Sequence, residues 1–502
     1  MTDEAENLST LHSLHEDARA IFSHALDACR LERVFHERVL FNGTTLIVEH
    51  SPDFQPPSPA SRIDLGSYRK ILVIALGKAA IPMTQSLLDI LPRHLHIRGV
   101  CSAPATPARR DWRIRYYTGG HPLPNRDSFR AAQRALRLLR RAAEKTCVIY
   151  LISGGGSTLF DLPLDPKISL SDTIAFHETL IASGATIAEI NTLRKHFSAV
   201  KGGRLATAAP QSRKVTLQVV DVPWHQADTV ASGPTLPDPS TVDECRELLD
   251  RYRLLEKFPP SVRRFFNRHD LPETPGDKTA MKRDAGLEEV SFAGSGNDPA
   301  GLSGTLVTLL SNRDLVRSAG EKAAMLGYEV IVDNGCDDWP YDKAAVYLVD
   351  RLVASRQQHP GRKLCLLSGG EVTVRIDRKP GSGGRNQHFA LSCSLLLRQE
   401  LPNEPVACLS GGSDGVDGNS RAAGALADAT TFGRSQALGL DPQAALASFD
   451  AGPLFTALGD SIVTGPTGNN LRDLRILLSA YRSLRSVTIE AWQFAKNGQS
   501  GI

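Results

Sequence analysis

The reading of this chain turns on residues 366–391, LLSGGEVTVRIDRKPGSGGRNQHFAL. An apolar strand ends on Gly369 and Gly370, a second strand alternates Val372, Val374 and Ile376, and a glycine turn then opens a helix. Arg385 stands at that opening, flanked by Gly383, Gly384 and Asn386. Glycines that let the backbone approach a ligand, an arginine fork and a helix start together suit an anion, phosphate before others. Three more glycine-rich junctions repeat this chemistry, around Lys78, Gly154 and Asp414. The chain therefore reads as an enzyme that gathers loops around a nucleotide and a small acidic substrate.

Toward the C-terminus, residues 405–428 give a strand, a glycine loop carrying Asp414 and Asp417, and a helix. Residues 465–481 give a glycine loop at the head of another helix. Upstream, a strand over 304–311, a helix over 314–326 and a strand over 327–334 form a βαβ unit. In the first half, the apolar run 71–76 is a buried strand, followed at once by Gly77, Lys78 and a helix. A lysine there opposes the helix dipole, yet strand carboxyl ends are where open α/β sheets bind ligands, which marks Lys78 as a site residue.

Gly119, Gly120 and His121 centre a turn in which His121 either binds substrate or caps the turn. The strand over 146–153 runs into Gly154, Gly155, Gly156 and Ser157, an anion nest at a helix start. It is not a P-loop, because GxxxxGK followed by Ser or Thr occurs nowhere in the chain. Arg194, Lys195, Lys201 and Arg204 form a charge run that by itself reads as a solvated helix face. The strand from Lys214 presents Asp221 at its exit, a place suited to a metal ligand or a base.

Strands alternate with helices through both halves, which predicts an α/β protein of two domains, each a mostly parallel sheet with flanking helices. The expected bounds are 1–257, a polar and proline-broken crossing over 258–301, and 302–502. Ligand loops fall in both halves, which places the expected active site in an interdomain cleft whose closure would exclude water.

Across 502 residues, 58 basic side chains nearly cancel 55 acidic ones, so there is no basic field for nucleic acid. No apolar run approaches a membrane span, and the acidic N-terminus lacks a secretory h-region. The eight cysteines are scattered without a CxxC pair, as reduced core residues of a cytoplasmic protein would be. The partner expected is a small-molecule substrate, and the oligomeric state is left open.

Eight motifs then stand in one order: ALGKAA (75–80), GGHPLPN (119–125), LISGGGSTL (151–159), LRKHFSAVKGGRLA (193–206), VASGPTLPDPST (230–241), GGRNQHFAL (383–391), SDGVDG (413–418) and GPTGNNLRDL (465–474). Together they resemble the class II glycerate kinases, the glycerate 2-kinase family whose C-terminal part is the MOFRL domain. The resemblance covers most of the chain and implies a two-domain kinase that uses ATP and Mg2+ to convert D-glycerate to 2-phosphoglycerate. It implies that Lys78 and Arg385 are the basic pair that neutralises the carboxylate or the transferring phosphoryl group. Gly154, Gly155, Gly156, Ser157, Gly383, Gly384 and Asn386 would cradle phosphate. Asp221, Asp414 and Asp417 would hold magnesium or orient the hydroxyl; Asp221 is taken as catalytic and Asp414 and Asp417 as metal-holding, with the division open between them.

The chain departs from the family at three places. Trp224, His225 and Gln226 stand where Gly-Asp-Asp is usual, His388 where Glu is usual, and Asn125 where Asp is common. Two other readings follow from these residues. A hydroxypyruvate reductase using NAD(P)H would rest on the glycine turn over 290–301, which lacks a clean βαβ setting. A non-catalytic nucleotide or sugar-acid sensor of the same fold, binding without turnover, would account for the missing carboxylates. A serine hydrolase built on Ser413 is excluded in the α/β-hydrolase order, because no histidine follows it.

Overall fold

The computed structural model describes residues 3–53, 59–276, 302–402 and 404–481. These described residues form two compact units, one drawn from 28–314 with 468–471, the other from 3–27, 315–467 and 472–481.

In the 28–314 unit, a small antiparallel sheet of β1 (Val39–Asn42), β2 (Thr45–Val48) and β3 (Ser61–Asp64) precedes the main sheet. The main sheet comprises β4 (Lys70–Leu76), β5 (Ile97–Ala103), β6 (Ile114–Thr118), β7 (Thr146–Ile152), β8 (Arg213–Val219) and β9 (Thr305–Leu310). All its pairings are parallel, in the order β6-β5-β4-β7-β8-β9. This is the doubly wound order, and it reverses between the neighbours β4 and β7. Residues of β7 are buried throughout, as a strand covered on both faces requires. Leu72, Ile74, Val148 and Tyr150 pack there with Ala131, Ala135 and Leu139 of the helix Arg126–Leu139.

A second core of the same unit is aromatic. Phe176, Phe197, Phe258, Phe265 and Phe266 pack together, with the Phe176 and Phe197 rings stacked 4.1 Å apart. This cluster fixes the helix Ile187–Phe197, which starts on a Thr186–Glu189 capping box.

The other unit carries β10 (Glu329–Val332), β11 (Leu364–Gly370), β12 (Val406–Gly412), β13 (Gly424–Asp428), β14 (Ser461–Ile462) and β15 (Asp473–Ser479), in the order β10-β11-β15-β12-β13-β14. Here β10, β11 and β12 run the same way, as successive βαβ crossovers make them. The last strand, β15, inserts antiparallel between β11 and β12, so β10–β11 is the one parallel pair recorded in this sheet among the described residues. The α/β class holds, but the mostly parallel pairing expected of both sheets holds in full for the first.

Several local expectations change. Residues 473–479, expected as helix, are the central strand β15: Leu471, Leu474 and Leu477 have helical spacing, but the run from Asp473 to Ser479 is buried all round in the sheet. Residues 424–428, also expected as helix, are β13. Val372, Val374 and Ile376 form no second strand; Thr373 makes a single bridge to Pro340, and Ile376 is exposed. The expected βαβ unit over 304–334 divides, because β9 and β10 belong to different sheets.

The unit bounds also differ from those expected. The helix Asp3–Ala28 buries Leu14, Ala18, Ile21 and Phe22, with His15 Nε2 2.8 Å from Asp428 in the second unit. At the other end, β9 pairs with β8 and so completes the first sheet. Nothing in local order marks which distant segment a helix stripe or edge strand will join. The helix Pro260–Phe266 starts the expected crossing but is part of the aromatic core, and residues 277–301 lie outside those described. All eight cysteines are buried and unbridged. Among the described residues, no helix is long and apolar enough to cross a membrane.

Candidate active site

The carboxyl ends of β4, β7 and β8 bring Lys78, residues 154–157 and Asp221 to the reversal point of the first sheet. The contact is close. A Cβ on Gly154 would fall 1.4 Å from Asp221 Oδ2, so only glycine lets that carboxylate lie on the turn. Gly155 has φ +76°, and a Cβ there would sit 3.1 Å from Lys78 Cγ. Asp221 and the Lys78 stem therefore lie against consecutive residues of one turn. The N–H groups of Gly154, Gly155, Gly156 and Ser157 donate to no acceptor among the described residues, and the Lys78 ammonium has no carboxylate partner among them. Unengaged backbone donors beside an unpaired cation are the parts from which an anion receptor can be built.

The wall of this receptor was partly missed in the sequence. Ser157 Oγ lies 2.8 Å from Ser232 Oγ, which donates to Asn191 Oδ1 at 3.1 Å. Ala231 and Ser232 hold φ of 53° and 61°, left-handed values that non-glycine residues adopt at a cost and that cluster at functional sites. His121 Nδ1 is 3.2 Å from Thr158 Oγ1. Burial lowers the His121 pKa, as do the charges of Lys78 and Arg194, so its imidazole is neutral at pH 7. The departure at Asn125 is structural: its side chain caps the helix Arg126–Leu139, accepting from the Asp127 and Ser128 N–H groups at 2.9 Å.

The charge run 194–204 is not a solvated face. Arg194, Lys195 and Lys201 are buried, and Lys201 joins Asp161, His177 and Ser198 in an interior network. The signal available in sequence was Asn191 three residues before Arg194, a polar face on a helix with an aromatic base.

In the second unit the expected residues also assemble, with a different outcome. Asp417, about 1% exposed, accepts from the Asn386 N–H at 3.0 Å and the Gln387 N–H at 2.8 Å, capping the helix Arg385–Glu400. The Gly383 N–H donates to Asn419 Oδ1. Arg385 is paired through Nε and Nη2 with Asp473, at 2.6 and 3.0 Å, and Nη2 also meets Glu371 at 2.8 Å. Asp414 Oδ1 accepts from the Val416 N–H. Both Asp417 oxygens already cap a helix, which leaves that carboxylate ill-suited to magnesium. Among the described residues, no group of three or more His, Cys, Asp or Glu is placed to hold a metal. Asp473 and Glu371 went unremarked in the sequence because one lay in a presumed helix and the other in a presumed strand. His388 is buried between Tyr341 and Phe449 with Nδ1 on the Gly384 carbonyl, a packing role in place of a carboxylate.

Residues 17–267 match a family described as a domain of unknown function, DUF4147, and residues 364–473 match the MOFRL family. A glycerate 2-kinase of Pyrococcus horikoshii is 33% identical over 82% of this chain and 87% of its own. A protein of Agrobacterium vitis, 34% identical over 82% of this chain and 99% of its own, carries the name of a hydroxypyruvate reductase. The crystal structure of a glycerate kinase from Thermotoga maritima superposes with a TM-score of 0.74 at 29% identity, covering 93% of this chain and all of that one. With these parts in this order and this depth of similarity, the chain belongs to the glycerate 2-kinase family.

Proposed function

We propose that this chain transfers a phosphoryl group from ATP to the 2-hydroxyl of D-glycerate, giving 2-phosphoglycerate and ADP. The observation that carries this is the receptor at the reversal point: four unengaged N–H groups, Lys78 beside them, and a carboxylate on the same turn. Phosphoryl transfer asks the protein chiefly for positioning and charge neutralisation, which the nest and Lys78 supply to the equatorial oxygens. Asp221 takes the proton as the substrate hydroxyl oxygen bonds to the γ-phosphorus and the bond to ADP breaks. Arg385, the second cation expected from the sequence, keeps its Nη1 edge open among the described residues, and no step is assigned to it. No step runs through a metal held at Asp414 or Asp417. Magnesium that arrives on nucleotide phosphates requires only one or two protein carboxylates.

The test is purified protein with D-glycerate, Mg-ATP and coupled ADP detection, with phosphorus NMR to locate the new ester. ADP release dependent on D-glycerate is expected; its absence removes the proposal. The reductase reading has two supports, the name of the Agrobacterium relative and a strand order shared with dinucleotide-binding sheets. Against it, the first strand exits into Gly77 and Lys78 rather than a glycine fingerprint. A parallel well with hydroxypyruvate and NADH or NADPH decides it.

A further inference from the structure

Three of the four cations between 194 and 204 are engaged inside the protein. Lys195 Nζ meets Asp238 at 3.0 Å, Lys201 meets Asp161, and Arg204 donates to the carbonyl oxygens of Lys195, Pro272 and Glu273. Arg194 differs. It is 9% exposed, its Nε is buried, and its guanidinium makes no hydrogen bond or ion pair among the described residues. Asp161, the carboxylate whose charge acts on it, already accepts from Lys201, His177, Ser198 and the Leu162 N–H. Arg475, which is fully buried, shows the usual solution, donating to the Gly369 carbonyl at 2.6 Å. A buried guanidinium without an acceptor is among the most destabilising arrangements a fold can keep, and a ligand anion would complete it.

Its position says which anion. Arg194 follows Asn191 by three residues on one helix, so the two share a face. Asn191 is tied through Ser232 to Ser157 of the nest. That face therefore looks onto the phosphate receptor, and the charges of Lys78 and Arg194 both act on His121. The nest and Lys78 account for the phosphoryl group, leaving Arg194 for a second anionic group a few ångströms away on the same small molecule. Its planar fork matches a carboxylate.

We infer that Arg194 is the carboxylate receptor of this site, gripping the hydroxy acid by its acid end while the nest and Lys78 hold the group being transferred. The inference rests on the kinase reading above and makes Arg194 the specificity-determining residue. A polyol of the same length, with no carboxylate, leaves the buried guanidinium uncompensated and is rejected.

The test uses the full chain, titrated calorimetrically with D-glycerate and separately with inorganic phosphate, for wild type, Arg194→Met and Arg194→Lys, with thermal melts of each. D-glycerate affinity should fall about 100-fold in Arg194→Met, the loss of a charge-assisted pair, and less in Arg194→Lys, which keeps the charge without the fork. Phosphate affinity should hold. The melting temperature of Arg194→Met should not fall, because an uncompensated interior charge has been replaced by an apolar chain of similar length. Unchanged D-glycerate affinity in Arg194→Met overturns the inference, as does a wild type that binds no D-glycerate. A lowered melting temperature accompanied by lost phosphate binding also overturns it, since Arg194 is then a structural cation. Failure of the kinase reading is distinguishable: no glycerate-dependent ADP release, with Arg194-dependent glycerate binding intact, removes the transfer and keeps the carboxylate site.

Discussion

Residues 154–157 and 383–386 answer to one description, glycines between a strand and a helix with a long cation alongside, and they end in opposite states. In the first, the N–H groups of residues 154–157 and the Lys78 ammonium have no acceptor among the described residues. In the second, Asp417 takes the Asn386 and Gln387 N–H groups, and Asp473 and Glu371 take most of the Arg385 fork. A carboxylate approaches each turn across a glycine, Asp221 at Gly154 and Asp417 at Gly384, where a Cβ would fall 2.3 Å from Asp417 Oδ1. The difference is where it lands. Asp221 lies beside the donors and leaves them open, whereas Asp417 lies on them and supplies the acceptor from within the protein. Glycine with a cation therefore marks a backbone that accepts an anion, and says nothing of whether the anion comes from outside.

The largest effect that would break this comparison is at Lys78. Lys78→Met should lower kcat/KM for D-glycerate by about a thousandfold or more, the scale on which cations act in phosphoryl transfer, with the melting temperature held within a degree or two. Near-normal turnover in steady-state assays would show that the open receptor is not the reacting site. Arg385→Ala should behave differently and lose stability first, by about 2–3 kcal/mol. Its loss takes the guanidinium from the buried Asp473, and a value below the range for broken buried pairs applies because Arg385 keeps about a third of its surface in water. Urea unfolding of Arg385→Ala and of Arg385→Ala with Asp473→Asn separates the two roles. If the double variant regains stability but not turnover, Arg385 has a part in turnover beyond its pairing with Asp473. If Arg385→Ala is as stable as wild type, the closed state ascribed to the second loop is wrong.

Both loops were visible in the sequence because glycine runs after apolar strands are local signals, and so was the α/β alternation. What was hidden is non-local. Asp473 was misread as helical because leucines at 471, 474 and 477 satisfy a helical period, and only the insertion of β15 between β11 and β12 makes that run a strand. With it misplaced, the partner that closes the Arg385 fork was invisible. Arg194 was hidden for the converse reason: a basic run on a helix usually faces water, and only the cluster around Phe176 and Phe197 shows that this one is interior. The doubly wound order, which places Lys78 and Gly154 just past the ends of adjacent strands, is likewise a property of pairing rather than of composition.

The smallest effect sharpens the comparison through pH. Burial, with Asp473 adding to it, pushes the Asp417 carboxyl up to about 7 from an ordinary 3.8, against the lowering effect of the two N–H groups it accepts. Between those values the folded chain binds a proton that the unfolded chain has lost, so stability falls as pH rises. From pH 5.5 to 8 the loss assignable to Asp417 is about 2 kcal/mol by linkage. Asp417→Asn titrates no proton at this position, so its stability should fall less over the same interval, whatever its absolute value at one pH. Melting temperatures of both proteins at four or five pH values measure the difference in slope. Parallel slopes would mean that Asp417 is already ionised at pH 5.5, stabilised by the helix donors in the way an external anion would be. The second loop would then be a filled copy of the first, and an anion bound at residues 154–157 should stabilise the 28–314 unit as Asp417 stabilises its own.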